Sequence, residues 1–324
     1  MIGAMRIIVS HPEAGGGHAW HRALAARLPD ARIAVAPGTP DATPESVAAD
    51  DFHADYAVGW APPADFFARQ PQLQAFFSMG AGVDNLLRHP GLPATLPVVR
   101  LEDAGMGALM SDYCLHALLG IAGRHDAYAA QQARREWDDR AQPLARAELP
   151  VGVFGLGVLG ARVARHLAAA GFPVRGFSRT PKAIDGVETM HGAPQWHAFL
   201  SATRVLVLLA PRTPETEDAI DADALARLQP GGWVVNVARG ALVVDADLLA
   251  ALDSGRLAGA VLDVFREEPL PASHAFWHHP RIRVTPHVSA PTLVEASAEQ
   301  VAAKLAAIAR GDTPGGLVDR VRGY

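Results

Sequence analysis

The run VGVFGLGVLGARVA, residues 151–164, constrains this chain more than any other stretch. A strand-like apolar tetrad passes directly into Gly155, Gly157 and Gly160, and a helical pattern starts inside that spacing. Such a passage needs one glycine for the tight turn, one that leaves the backbone approachable, and one that lets the helix lie close on the strand. N–H groups at the start of such a helix are suited to an anion, so the strand–turn–helix context reads as a dinucleotide pyrophosphate site. Val158 and Leu159, between the glycines, are expected to share the contact. The alternative is a tight βα turn with no ligand.

The next apolar strand, PVRGFS, leads into GFSRTPK, residues 176–182. An Asp or Glu at this place would hold both ribose hydroxyls of NAD. Here stand Ser178, Arg179, Thr180 and Lys182, which can hydrogen-bond and neutralise a 2′-phosphate that a carboxylate would repel. The expected cofactor is therefore NADP(H) in preference to NAD(H), against the alternative of a solvated basic turn.

Around this motif the strand and helix signals alternate in two stretches. MRIIVS, ARIAVA, DYAVGW, LQAFFSM and LPVVRL read as short strands of a first parallel sheet, with HAWHRALAARL as a helix. PGTPDATPES reads as a solvated loop. Residues 107–135 lack proline and carry apolar residues at helical spacing, which predicts one long connecting helix. The second stretch is denser: PVGVFG, PVRGFS, RVLVLLAP, GWVVNVAR, LAGAVLDVF and IRVTPH read as strands, with helices at 159–171, 221–228, 245–255 and 292–311. Near-continuous apolar strands belong to a parallel sheet covered on both faces, so the fold class is α/β with two parallel-sheet lobes, Rossmann-like or flavodoxin-like.

With 324 residues, 49% of them apolar, the chain can build two ordinary cores. A net charge of −5 gives no general attraction for nucleic acid or an anionic membrane, so any anion site has to be local. The one cysteine, Cys114, excludes an intramolecular disulfide. No basic leader or bilayer-length apolar run is apparent, and the expectation is a soluble, cytoplasmic protein.

In parallel sheets ligands bind beyond the C-terminal ends of the strands. The polar residues that follow apolar runs are Asn236 and Arg239, Asp263 and Glu268, and His287, expected on one rim. Pro211 and Ala238, at strand ends of the same kind, are expected cofactor contacts. An arginine can grip a carboxylate and polarise its neighbouring carbonyl, and a histidine can give or take the proton that accompanies hydride transfer. A carboxylate beside the histidine orients it and favours its charged form. That set suits reduction of a 2-oxo acid; from spacing alone each residue could equally be a capped or solvated loop residue.

The order GLGVLG, NVARGALVVDADLLAAL, LDVFREEPLP and VTPHVSA resembles the D-isomer-specific 2-hydroxyacid dehydrogenase family over nearly the whole chain. YAVGWAPP, FSMGAGVDNLL, VRLEDAGMG, SRT and VDRVRGY resemble its glyoxylate/hydroxypyruvate reductase A branch. The resemblance implies that Arg239 binds the substrate carboxylate and carbonyl, that His287 is the general acid in reduction, and that Glu268 pairs with His287. It implies Asp263 near the nicotinamide and backbone N–H groups of Ala81, Gly82 and Val83 on the substrate carboxylate. It also implies a discontinuous substrate-binding domain, 1–103 with 289–324, an NADP-binding domain, 104–288, a site in the interlobe cleft, and a homodimer.

Two departures bear on the substrate pocket. Many members have a Pro-Gly pair where this chain has Gly105-Met106-Gly107, and VSAP follows His287 in place of a glycine-containing run. Trp60, as a substrate contact, and Trp137 could narrow the pocket toward two- or three-carbon acids, or be packed aromatics. His274, His278 and His279 in SHAFWHHP read as a surface turn and no metal is expected, because no Cys or carboxylate completes ligand spacing. Gly15–Gly17 lack the Lys-Ser/Thr pair of a phosphate loop. The competing functions are a formate- or phosphite-oxidising relative of the same fold and a dinucleotide-sensing, corepressor-like interaction protein.

Overall fold

The computed structural model describes residues 5–40, 46–49 and 51–324. Residues 1–4 of the N-terminal run and 41–45 of the Pro- and Thr-rich loop lie outside the described residues. The chain divides into two compact units, Met1–Gly105 with Thr292–Tyr324, and Met106–Pro291.

The first unit starts with β1 (Arg6–Ser10), α1 (Gly16–Arg27), β2 (Arg32–Val35), β3 (Tyr56–Gly59) and α2 (Phe66–Arg69). It continues with β4 (Ala75–Ser78), α3 (Asp84–Leu87) and β5 (Val98–Val99). The strands form one sheet of order β2-β1-β3-β4-β5, parallel throughout. Strands β3 and β4 are buried at every residue, as sheets covered on both faces require. Phe66, Phe67 and Phe76 pack edge to face in the core beside them.

The second unit opens with α4 (Met106–Ala122) and α5 (His125–Arg134), so the single helix expected over 107–135 is two. The break falls at Gly123-Arg124, where Arg124 adopts the left-handed region at φ 54°. Local pattern shows no such corner, because Gly123 is tolerated in a helix and Arg124 is a good helix former. There follow β6 (Val151–Phe154), α6 (Val158–Ala169), β7 (Val174–Ser178), β8 (Glu188–His191) and α7 (Ala193–Ser201). Then come β9 (Val205–Leu208), α8 (Ala222–Arg227), β10 (Gly232–Asn236), α9 (Asp245–Asp253), β11 (Leu257–Leu262) and β12 (Ile282–Val284). The seven strands run in the order β12-β11-β10-β9-β6-β7-β8. The chain thus reverses direction across the sheet at β6, the strand that feeds the glycine motif, which makes its C-terminal end the switch point where ligands bind.

The last helix, α10 (Val294–Ala309), belongs to the first unit and packs on α1, with Arg27 and Glu295 paired at 2.8 Å. Among the described residues no helix is long and apolar enough to cross a membrane.

Candidate active site

Each glycine after β6 meets a different constraint. Gly155 has φ 104° and its N–H donates to Phe177 C=O at 2.9 Å, tying the turn to β7. A Cβ on Gly160 would lie 1.8 Å from the Gly155 carbonyl oxygen, so this helix–turn contact exists only without a side chain. At Gly157 a Cβ would meet nothing within 4 Å, so protein packing does not explain that glycine. Space in front of it, at the mouth of the twelve-residue helix α6, is what an approaching phosphate needs. Among the described residues the N–H groups of Gly157, Val158 and Leu159 donate no protein hydrogen bond. The turn fits a dinucleotide pyrophosphate.

At the end of β7, Arg179, Thr180 and Lys182 are exposed. The Ser178 hydroxyl donates to Thr180 C=O at 2.8 Å and Thr189 holds Lys182 C=O at 2.6 Å, so the basic turn has an ordered backbone. Glu215, on the loop after β9, lies in the field of Arg179, which helps hold its carboxyl low after the larger effects of Thr213 and its own N–H. On that same loop Pro211 C=O accepts from Thr216 at 2.6 Å.

Beyond β10, Asn236 is buried and serves the backbone: its amide donates to Arg239 C=O at 2.9 Å and its oxygen accepts from Ala238 N–H at 3.1 Å. That brace fixes the chain entering Arg239. The chain leaving it is fixed by Gly240, where a Cβ would fall 1.9 Å from the Phe265 carbonyl carbon. Phe265 N–H in turn donates to Glu268 Oε1 at 2.9 Å, and Glu268 Oε2 meets His287 Nδ1 at 2.7 Å. Arg239, Glu268 and His287, far apart in sequence, are thereby brought together by contacts within one unit. The imidazole and carboxylate side chains are 45% and 36% exposed, so both can reach a ligand.

Electrostatics support the pairing. Burial is the largest influence on Glu268 and pushes its pKa up. The hydrogen bonds from His287 and Phe265, with the charges of His287 and Arg239, outweigh burial and leave the carboxyl below its ordinary range. Glu268 thus remains a carboxylate able to hold the Nδ1 side of the ring and leave Nε2 for chemistry.

Asp263, expected beside the nicotinamide, is wholly buried at the end of β11, and both of its oxygens are occupied by protein donors. Those donors include Thr285, which with Tyr113 was not among the expected residues. In the first unit the Trp60 ring rests against Gly80, where a Cβ would come within 2.6 Å of it. Just beyond, among the described residues, the N–H groups of Ala81, Gly82 and Val83 donate no protein hydrogen bond. Trp137 is 97% exposed. His274 faces Asp245 at 3.5 Å and His279 faces Asp253 at 3.3 Å, and among the described residues no group of three or more potential ligands could hold a metal ion.

Residues 115–289 match the family described as D-isomer specific 2-hydroxyacid dehydrogenase, NAD binding domain. Glyoxylate/hydroxypyruvate reductase A of Serratia proteamaculans (strain 568) is 44% identical over 99% of this chain and 100% of its own length. Among solved structures, an NADPH-dependent glyoxylate/hydroxypyruvate reductase from Sinorhizobium meliloti in complex with NADP and sulfate is 39% identical. It superposes with TM-score 0.90 over 99% of this chain and 100% of its own. A D-isomer specific 2-hydroxyacid dehydrogenase from Xanthobacter autotrophicus Py2 in complex with NADPH and MES gives 38% identity and TM-score 0.89, over 99% of both chains. With full-length relatives at this identity and a family match over residues 115–289, the chain belongs to the D-isomer-specific 2-hydroxyacid dehydrogenase family.

Proposed function

We propose that the protein is an NADPH-dependent reductase of small 2-oxo acids, converting glyoxylate to glycolate and hydroxypyruvate to D-glycerate. The observation that carries the reading is the 2.7 Å Glu268–His287 pair with the Arg239 charge beside it. Gly155, Gly157, Val158, Leu159 and Gly160 would hold the pyrophosphate, and Ser178, Arg179, Thr180 and Lys182 the 2′-phosphate, with Pro211 and Ala238 as further contacts. The relatives described with NADP or NADPH support that choice. When bound, the dinucleotide supplies the hydride, and the protein supplies position, charge and a proton.

Arg239 binds the substrate carboxylate and draws electron density from the adjacent carbonyl. As the carbonyl carbon is reduced, His287 Nε2 gives its proton to the carbonyl oxygen, so the product leaves as the 2-hydroxy acid with a hydroxyl in place of an alkoxide. The Glu268 carboxylate stabilises the imidazolium before that transfer and keeps the ring aimed. In the other unit the N–H groups of Ala81, Gly82 and Val83, which donate no protein hydrogen bond among the described residues, suit a substrate carboxylate, and Trp60 rests beside them against Gly80. We therefore assign cofactor binding to the unit 106–291, which also carries Arg239, Glu268 and His287, and a share of substrate binding to the other. We also infer a homodimer, as the family resemblance implies, with the exposed Trp137 indole available to its interface.

The test is NADPH oxidation followed with glyoxylate, hydroxypyruvate, pyruvate and longer 2-oxo acids. Turnover should be fastest with the two- and three-carbon acids and be lost in His287→Ala. Failure with every acid would sink the reading, and preferential oxidation of formate or phosphite would replace it.

A further inference from the structure

His287 sits at φ 54°, a left-handed conformation unusual for a residue with a Cβ, so something has to hold its backbone there. Asp263 does so with three acceptors aimed at three successive residues. Its main-chain oxygen takes His287 N–H at 2.8 Å, Oδ1 takes Val288 N–H at 2.9 Å, and Oδ2 takes Ser289 N–H at 2.8 Å. Oδ1 also receives the Thr285 hydroxyl at 2.6 Å. Thr285 has one hydroxyl proton, and it is committed to Asp263, so the 2.6 Å contact between Tyr113 and Thr285 has Tyr113 as donor. The chain of donation is Tyr113 O–H to Thr285 Oγ1, and Thr285 O–H to Asp263 Oδ1.

We propose that Tyr113, through Thr285 and the buried Asp263 carboxylate, is a positioning residue for the reduction, fixing the strained backbone that carries His287. The inference rests on the reading of His287 as the proton donor. Three features make the chain suited to the task. Tyr113 lies on α4, a seventeen-residue helix packed along α6, so its hydroxyl is anchored by rigid structure. Asp263 is wholly buried, where an incompletely satisfied carboxylate is costly, so loss of one donor is felt by the others. Burial pushes the Tyr113 phenol up to about 12, so the hydroxyl stays a donor across the working pH range. Glu268 then fixes the ring and Asp263 fixes the backbone, two independent constraints on one imidazole.

The experiment replaces Tyr113 by Phe, which removes the hydroxyl and keeps the ring, in the full-length protein. The expected result is roughly tenfold faster amide exchange at residues 287–289 with unchanged protection in β6 and β9, the upper end of the size expected for loss of one buried hydrogen bond. With glyoxylate and NADPH, kcat should fall by roughly tenfold and both KM values should stay within about twofold. Thr285→Ser should behave as wild type, Thr285→Val, which also removes the donor to Asp263, should be at least as severe as Tyr113→Phe, and the double variant should be no worse than Thr285→Val alone. Unchanged exchange at 287–289 in folded Tyr113→Phe overturns the proposal, as does full additivity of the two substitutions. If Tyr113→Phe does not fold, the Ser and Val variants at 285 decide, equal exchange in both overturning it. The exchange readout needs no substrate, so a protein inactive on every 2-oxo acid would defeat the functional reading while Tyr113 is still tested.

Discussion

The two ends of the seven-stranded sheet build their sites by opposite means. At the β6–β7 end, the turn at Gly155–Gly160 is specified by what is missing: a Cβ at Gly160 would strike the Gly155 carbonyl, and one at Gly157 would stand in the open mouth of α6. The parts lie within ten residues of sequence. At the β10–β12 end, the same job of holding a few atoms in place is done by hydrogen bonds across long separations. Glu268 reaches His287 nineteen residues on, and Asp263 reaches Ser289 twenty-six residues on. A site for an invariant phosphate can be made from backbone alone. A site that must hold and release a proton needs titratable side chains, and these have to be supported from elsewhere in the fold.

The comparison breaks most severely if His287→Ala retains reductase activity: removing the proposed proton donor should cost about a thousandfold in kcat, read as NADPH oxidation under saturating substrate. At the glycine end, the two substitutions should separate stability from binding. Gly160→Ala should lose about 3 kcal/mol in a denaturant titration, from the clash with Gly155, whereas Gly157→Ala should unfold as wild type and bind NADPH roughly a hundredfold more weakly by fluorescence titration. If Gly157→Ala binds normally, the open mouth of α6 is not where phosphate sits. Arg179→Asp should shift the ratio of kcat/KM for NADPH over NADH by roughly a hundredfold toward NADH, the effect of exchanging an attraction for a repulsion at one phosphate.

Smaller effects belong to Glu268. Glu268→Gln should lower kcat by about tenfold, since a neutral amide holds the ring less firmly than the carboxylate does. An unchanged kcat would separate Glu268 from the proton transfer. Its carboxyl also links folding to pH. The folded-state pKa lies below the ordinary 4.5, so the carboxylate stabilises the fold above that value and loses this contribution as pH falls through the lower folded value. The stability gap between wild type and Glu268→Gln should thus close as pH falls below 4.5, in thermal melts across the acid range.

Legibility in the sequence follows the same division. The glycine turn, the apolar strands and the helices with clear periodicity could be read from local pattern, because each depends on neighbours within a few residues. Strand β8 could not: Glu188–His191 is a mixed polar run at the sheet edge, with no buried residue and no period of two. Helix α7 carried a start signal in Pro194 of its first turn that the strand-and-helix reading passed over, whereas the corner at Arg124 was silent, as an arginine does not announce a left-handed conformation. Arg239, Glu268 and His287 were legible as polar residues after apolar runs. Tyr113 was not, since one tyrosine on an apolar helix looks like packing until Thr285 is seen 2.6 Å from its hydroxyl.

By itself, then, the sequence determined the class of fold, the place of the glycine turn and the basic residues after β7, because strand burial, tight turns and local charge act over short stretches of chain. Only the tertiary structure decided that Glu268 takes His287 and Phe265 together, and that Asp263 turns inward to hold residues 287–289. Hydrogen-bond partners separated by tens of residues are chosen by where the sheet delivers their backbones, and no local preference encodes that choice.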